Sequence, residues 1–146
     1  MNELKFNSQI CTTKEQSQRL LDLGLKPETA DMSYYVLVSG PVLTIGVPEK
    51  VEMEIAKGGK IVETINAEII PAWSLHRLKC LLPTKIPYES GYLTTEIINN
   101  VNLMFITDTS EQRLISFIHE NLYESMIKGI KWLIKEDYFN KEYLKQ

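Results

Sequence analysis

The sequence predicts an α+β fold, in which an antiparallel sheet of hairpins and a meander carries a long C-terminal helix and two shorter helices packed on it. Three observations lead there. Stretches rich in β-branched and aromatic residues, such as "YYVLVSG", "PVLTIGV" and "YLTTEII", are separated by short turn signals. The segment from Asn121 to Glu136 places its apolar residues on one helical arc. No strict strand–helix–strand alternation runs through the chain, which argues against a doubly wound parallel sheet.

The first helix is expected over residues 13–23. Thr13 followed by Gln16, or Thr12 followed by Glu15, can satisfy free amide donors at its start. Leu20, Leu21 and Leu23 give it an apolar edge, and Gly24 suits the left-handed residue beyond its end. Pro27 opens a helical turn at about 27–31. Two short strands follow, in "YYVLVSG" and "PVLTIGV", with a Gly-Pro pair between them.

"VEMEIAKGGKIVETI" predicts a hairpin. Val51, Met53 and Ile55 alternate with Glu52 and Glu54, Gly58-Gly59 turns, and Lys60 to Ile65 returns. A helix over 49–57 is the rival reading, because Glu, Met, Ala and Lys favour helix. A second helix is expected between Pro71, which suits a first turn, and Pro83, which marks a stop. Strands over 92–98, 102–107 and 113–119 form the meander, turning at Asn99-Asn100 and at Asp108-Thr109-Ser110. The terminal helix, 121–136, starts at Asn121 with Glu124 completing a capping box. Leu122, Tyr123, Met126, Ile127, Ile130, Leu133 and Ile134 face the core. Glu124, Lys128, Lys131 and Lys135 face water. Tyr138, Phe139 and Leu144 are available to dock the tail.

At 146 residues the chain suits one domain, 1–146, with a sizeable core. Hydrophobic residues make up 44% and charged residues 24%, ordinary for a globular protein. The net charge of −3, with a pI near 5.5, argues against a general nucleic-acid binder, which would carry a basic surplus. Cys11 and Cys80 are too few and too scattered for an oxidised framework, and both are read as free thiols in a reducing compartment. The polar start "MNELKFNSQI" shows no apolar leader, and no run approaches the roughly 18 residues of a membrane span. A cytoplasmic protein that does not enter the membrane is the expectation.

Three segments, "CTTKEQSQRLLDLGLKPETADM" (11–32), "IPAWSLHRLKCLLP" (70–83) and "NLYESMIKGIKWLIKEDYF" (121–139), resemble a family of small uncharacterised proteins. That family occurs in gut Bacteroidetes bacteria, their phages and integrated mobile elements. The resemblance covers about half the chain and does not extend to residues 33–69. It implies a bacterial or phage origin and a cytoplasmic setting, and it assigns no catalytic residue.

The chemistry-bearing residues are few. On an ideal helix Trp73, His76, Arg77 and Cys80 form a stripe opposite Leu75, Leu78 and Leu82. His76 and Cys80, four apart, could share a metal, but zinc needs further ligands and only Cys11 and His119 remain. The same pair as nucleophile and base would lack an orienting group and an oxyanion hole. The bland reading is packing, with Trp73 and Cys80 inside and His76 and Arg77 at the rim. The functional reading makes Trp73, His76 and Arg77 part of an interaction surface. Trp132, lying beside Gly129 and Ser125, marks either close packing on the sheet or a contact with a second copy or partner. Gly58-Gly59-Lys60 lacks the rest of a phosphate-binding loop.

The expected function is therefore a non-enzymatic binding or accessory protein in a phage or mobile-element context, acting by protein–protein contact with a partner or as a homodimer. No catalytic residue, cofactor or metal site is expected. The alternative is a small-molecule or nucleotide-handling enzyme using His76, Cys80 or His119.

Overall fold

Residues 8–146 are described by the structure, a computed structural model. Most of the amino-terminal stretch in which no leader was read lies outside the described residues. The described residues fold as α+β, with three antiparallel sheets and three α-helices among them. No helix among the described residues is long and apolar enough to cross a membrane.

Helix α1 (Lys14–Asp22) begins with the expected capping box. The Gln16 amide donates to Thr13 Oγ1 at 3.2 Å, and the Thr13 amide donates to Gln16 Oε1 at 3.0 Å. Gly24 follows at φ +103°, a conformation that suits glycine beyond a helix end. The 27–31 turn is a short 3₁₀ turn, Pro27–Thr29.

Strands β1 (Met32–Leu37) and β2 (Gly40–Ile45) form a hairpin with Leu37 opposite Gly40. The turn falls at Val38-Ser39 rather than at the Gly-Pro pair, which lies inside β2. Pro41 is accommodated because β2 is an edge strand, where a missing amide donor is least costly. Strands β3 (Glu52–Lys57) and β4 (Lys60–Asn66) form a separate two-stranded ribbon, so the hairpin reading of this segment holds over the helix.

The helix expected from Pro71 starts later. Residues Ile69–Ala72 form β5, which pairs with β1 so that Pro71 faces Ser33. Proline fits the first turn of a helix, but it also fits an edge strand, and here the second setting wins. Helix α2 (Leu75–Leu81) is capped by Ser74, whose hydroxyl accepts from the Arg77 amide at 3.1 Å.

The second half is a four-stranded meander in the order β6-β7-β8-β9. It comprises β6 (Ile86–Tyr88), β7 (Gly91–Ile98), β8 (Leu103–Thr107) and β9 (Arg113–Ile118). The last three match the expected strands, whereas β5 and β6 did not stand out as strands. Each is only three or four residues long and holds a proline, which weakens a strand pattern.

Helix α3 (Leu122–Lys135) covers one face of this sheet at β8 and β9. Asn121 Oδ1 accepts from the amides of Tyr123 and Glu124. Glu124 does not complete the expected capping box. Its carboxylate turns to α1 and accepts from Arg19 and Gln16. Leu20, Trp73, Leu78, Leu93, Met104, Ile106, Met126, Ile130 and Leu133 meet in one core between the helices and sheets. The tail closes over it: Phe139 is buried, Leu144 pairs with Leu25, and the Lys145 amide donates to the Gly24 carbonyl at 2.7 Å.

Candidate protein-contact surface

The strand–helix joint at "PAWSL" divides the expected stripe. Because α2 starts at Leu75, Trp73 is not on the helix at all. Its side chain is fully buried, with its indole N–H donating to Thr29 Oγ1 at 3.0 Å. Its backbone exchanges bonds with Thr12: the Thr12 amide donates to the Trp73 carbonyl, and the Trp73 amide donates to Thr12 Oγ1. The packing reading of Trp73 holds, and this residue is not part of an exposed surface. Asp31 accepts from the Ser74 amide at 2.9 Å and from the Ser74 hydroxyl at 2.5 Å, and Arg77 Nε donates to the Thr29 carbonyl at 2.6 Å. The 29–31 segment thus fastens the beginning of α2 and holds Arg77 against the protein.

His76 and Cys80 do lie together, with His76 Nε2 3.6 Å from Cys80 Sγ. Both are exposed, so the inward packing expected of Cys80 does not occur. Neither side chain makes a further hydrogen bond among the described residues. His119 is engaged elsewhere, its Nδ1 accepting from the Asn121 amide at 3.0 Å. Among the described residues no three His, Cys, Asp or Glu side chains come together in a way that could hold a metal ion. The other thiol, Cys11, is buried 3.2 Å from Tyr34 Oη. Burial pushes the Cys11 thiol up, which favours its protonated form.

Trp132 is half-buried and stacks obliquely on Tyr138, with ring centroids 5.8 Å apart. Its small neighbours have an internal explanation. Ser125 Oγ donates to the Asn102 carbonyl at 2.6 Å, and a Cβ on Gly129 would meet Met104 Sδ at 2.0 Å. The close backbone approach that these residues signal is that of β8. Trp73, His76, Arg77 and Trp132 therefore do not form one surface.

A different surface comes from strand alternation. Met104 and Ile106 point to the core, so Leu103, Phe105 and Thr107 point away from it. The register places Thr94, Glu96 and Ile98 of β7 beside them, and Arg113, Ser116 and Ile118 of β9 on the other side. Among the described residues no helix packs on this face. At one end Ile98, Leu103 and Ile118 make an apolar row across three strands. Ile98 is 38% and Ile118 65% exposed, and neighbouring Val101 is 47% exposed. At the other end Arg113 lies 4.1 Å over the Phe105 ring, and Lys85 lies 4.1 Å over that of Tyr92. Between them a depression of about 470 Å³ is lined by Tyr92, Thr94, Glu96, Phe105 and Thr107, with the Asp108 loop at its rim. Hydrogen bonds from the Ser110 hydroxyl and from the Gln112 and Ser110 amides hold the Asp108 carboxyl below the usual carboxylate range.

None of these face residues was singled out from the sequence. The period-two pattern of Tyr92, Thr94, Glu96 and Ile98 is the signal that could have found them, once the side taken by α3 is known. Comparison with protein-family models, with curated proteins and with solved structures gave no match.

Proposed function

We propose that this protein is a non-enzymatic binding or accessory domain that acts by protein–protein contact through the open face of β7, β8 and β9. The observation that carries this reading is the row Ile98–Leu103–Ile118, apolar and exposed at both ends, next to a mixed aromatic and charged depression. An apolar centre beside Arg and Tyr groups is the usual make-up of a protein-binding patch. The resemblance of residues 11–32, 70–83 and 121–139 to proteins of Bacteroidetes phages and mobile elements supports a role in that context, in a cytoplasmic setting.

In-cell crosslinking of the full chain in its native host, with partners identified by mass spectrometry, tests the proposal. A partner crosslinked near Ile98 or Val101 in the wild type should be lost from an Ile98→Asp/Val101→Asp variant that keeps the wild-type circular dichroism. It should be retained by Cys80→Ser. Unchanged capture by the folded face variant would refute the reading. The alternative, an enzyme using His76, Cys80 or His119, rests on the 3.6 Å His76–Cys80 approach. An unusually reactive Cys80 thiol, or a metal copurifying in stoichiometric amount, would favour it instead.

A further inference from the structure

The free sheet edges differ in how they are guarded. An edge strand presents unpaired amide and carbonyl groups, and proteins blunt such edges with proline, charge, bulges or shortness. β2 contains Pro41, and β5 is four residues long with Pro71. β6 is three residues long with Pro87. The β3–β4 ribbon carries Glu52, Glu54 and Lys57 on one strand, Lys60 and Glu63 on the other, and a bulge at Ile55/Ala56.

β9 has none of this beyond its first two residues. Its one charge, Arg113, reaches over the Phe105 ring, and its bulge leaves Leu114 without a partner on β8 at that same end. The remaining stretch, Leu114–Ile118, reads LISFI, with no charge, no proline and no glycine. Leu114 and Ile118 are 43% and 65% exposed. Among the described residues only β8 pairs with it, which leaves its outer edge open there over five apolar or neutral residues.

We propose that a second copy of this chain covers that edge, with the two β9 strands pairing antiparallel about a two-fold axis at Ser116. Such an axis stands perpendicular to the sheet, so each copy keeps its open face and its α3 face on the same side as the other. Directly opposed residues then share a face. With Ser116 on the axis, Leu114 falls opposite Ile118 of the second copy on the open face, and Ile115 falls opposite Phe117 on the helix face. Within Leu114–Ile118 every cross-strand pair off the axis is apolar on apolar, the combination that stabilises a sheet, and Arg113 falls opposite His119 beyond them. A centre at Ile115 would set Arg113 against Phe117, and a centre at Phe117 would set Leu114 against Glu120, so Ser116 gives the best match. The product is a continuous eight-stranded sheet with two open faces side by side. This self-association is separate from the partner contact proposed above and is read by a different quantity, the mass of the assembly.

Sedimentation velocity of the full chain over a dilution series tests it. The wild type should pass reversibly from 16.8 kDa to twice that mass as concentration rises. Ser116→Lys and Ser116→Glu, exposed substitutions that set like charges on the axis, should each stay monomeric, and an equimolar mixture of the two should dimerise. A wild type that stays monomeric at all concentrations, or a dimer that survives in either variant alone, overturns the proposal. If the variants do not fold, hydrogen exchange of the wild type decides: amides of 114–118 must gain protection as concentration rises, and protection independent of concentration overturns the pairing.

Discussion

Glu124 shows how one side chain can join two elements far apart in sequence. Its carboxylate accepts from Arg19 Nη1 at 2.7 and 2.8 Å and from Gln16 Nε2 at 2.9 Å, linking α3 to α1. Burial pushes the carboxyl up, but the bonds from Gln16 and Arg19, with the Arg19 charge, outweigh that and hold it below its ordinary value of 4.5. A depressed folded pKa means that the ionised form stabilises the fold. That contribution is fully present above pH 4.5 and is lost as pH falls through the lower, folded value. Glu124→Gln should thus cost about 1 kcal/mol at pH 7, a modest figure because Arg19 is half exposed. Urea melts at pH 7 and pH 3 should show the gap between variant and wild type closing in acid. A gap that persists at pH 3 would mean that the lost interaction is packing rather than charge. The sequence allowed Glu124 to be placed at a helix start but not to be paired, since Arg19 is 105 residues away. Local capping of Thr13 by Gln16 was legible because both partners lie within one turn. Trp73 was legible as a buried residue by type, whereas its partner Thr29, a hydroxyl and not a backbone carbonyl, is set by the fold.

At the scale of elements, long periodic segments announced themselves, and short ones took their form from their neighbours. α3, the β3–β4 hairpin and β7 to β9 follow from residue pattern. β5 does not, because Pro71 before "AWSLHRLKC" satisfies the rules for a helix start as well as those for an edge strand. Pairing with β1 decides between them. The stripe of Trp73, His76, Arg77 and Cys80 then dissolves because the helix under it loses its first turn. The α3–β8 contact has a sharper consequence. Gly129 sits inside α3, where alanine would gain about 1 kcal/mol of helix propensity. Its Cβ would meet the Sδ and Cε atoms of Met104, which is fully buried and would have to repack within the core. Overpacking of this kind costs about 1–3 kcal/mol, so Gly129→Ala should destabilise the protein on balance. In a Met104→Ala background the obstruction is gone, and the same Gly129→Ala change should stabilise by about 1 kcal/mol. A double-mutant cycle by thermal or urea unfolding reads the reversal of sign directly. If Gly129→Ala has the same sign in both backgrounds, Met104 is not what keeps the glycine.

For the whole molecule, the open sheet face raises the question of which class of partner it suits. Aromatic rings on an antiparallel sheet, with cations over them, are also the parts of a single-stranded nucleic-acid platform. Charge and access argue against that use. Phe105 is only 8% exposed beneath Arg113, so a base could stack on it only by displacing the guanidinium. Glu96, Asp108 and Glu111 line the same depression, and hydrogen bonds from Ser110 and Gln112 hold the Asp108 carboxyl below the usual carboxylate range. Phosphate binding depends on the number of phosphates neutralised, and this face offers two cations, Lys85 and Arg113, against three carboxylates on a chain of net charge −3. A labelled oligonucleotide, single-stranded and about 12 nucleotides long to span such a face, should show no change in fluorescence anisotropy at physiological ionic strength. Weak binding at low salt should fall away steeply as salt rises. Binding that survives physiological salt and disappears in Tyr92→Ala would mean that stacking, not phosphate charge, drives recognition, and would transfer the face from protein partners to nucleic acid.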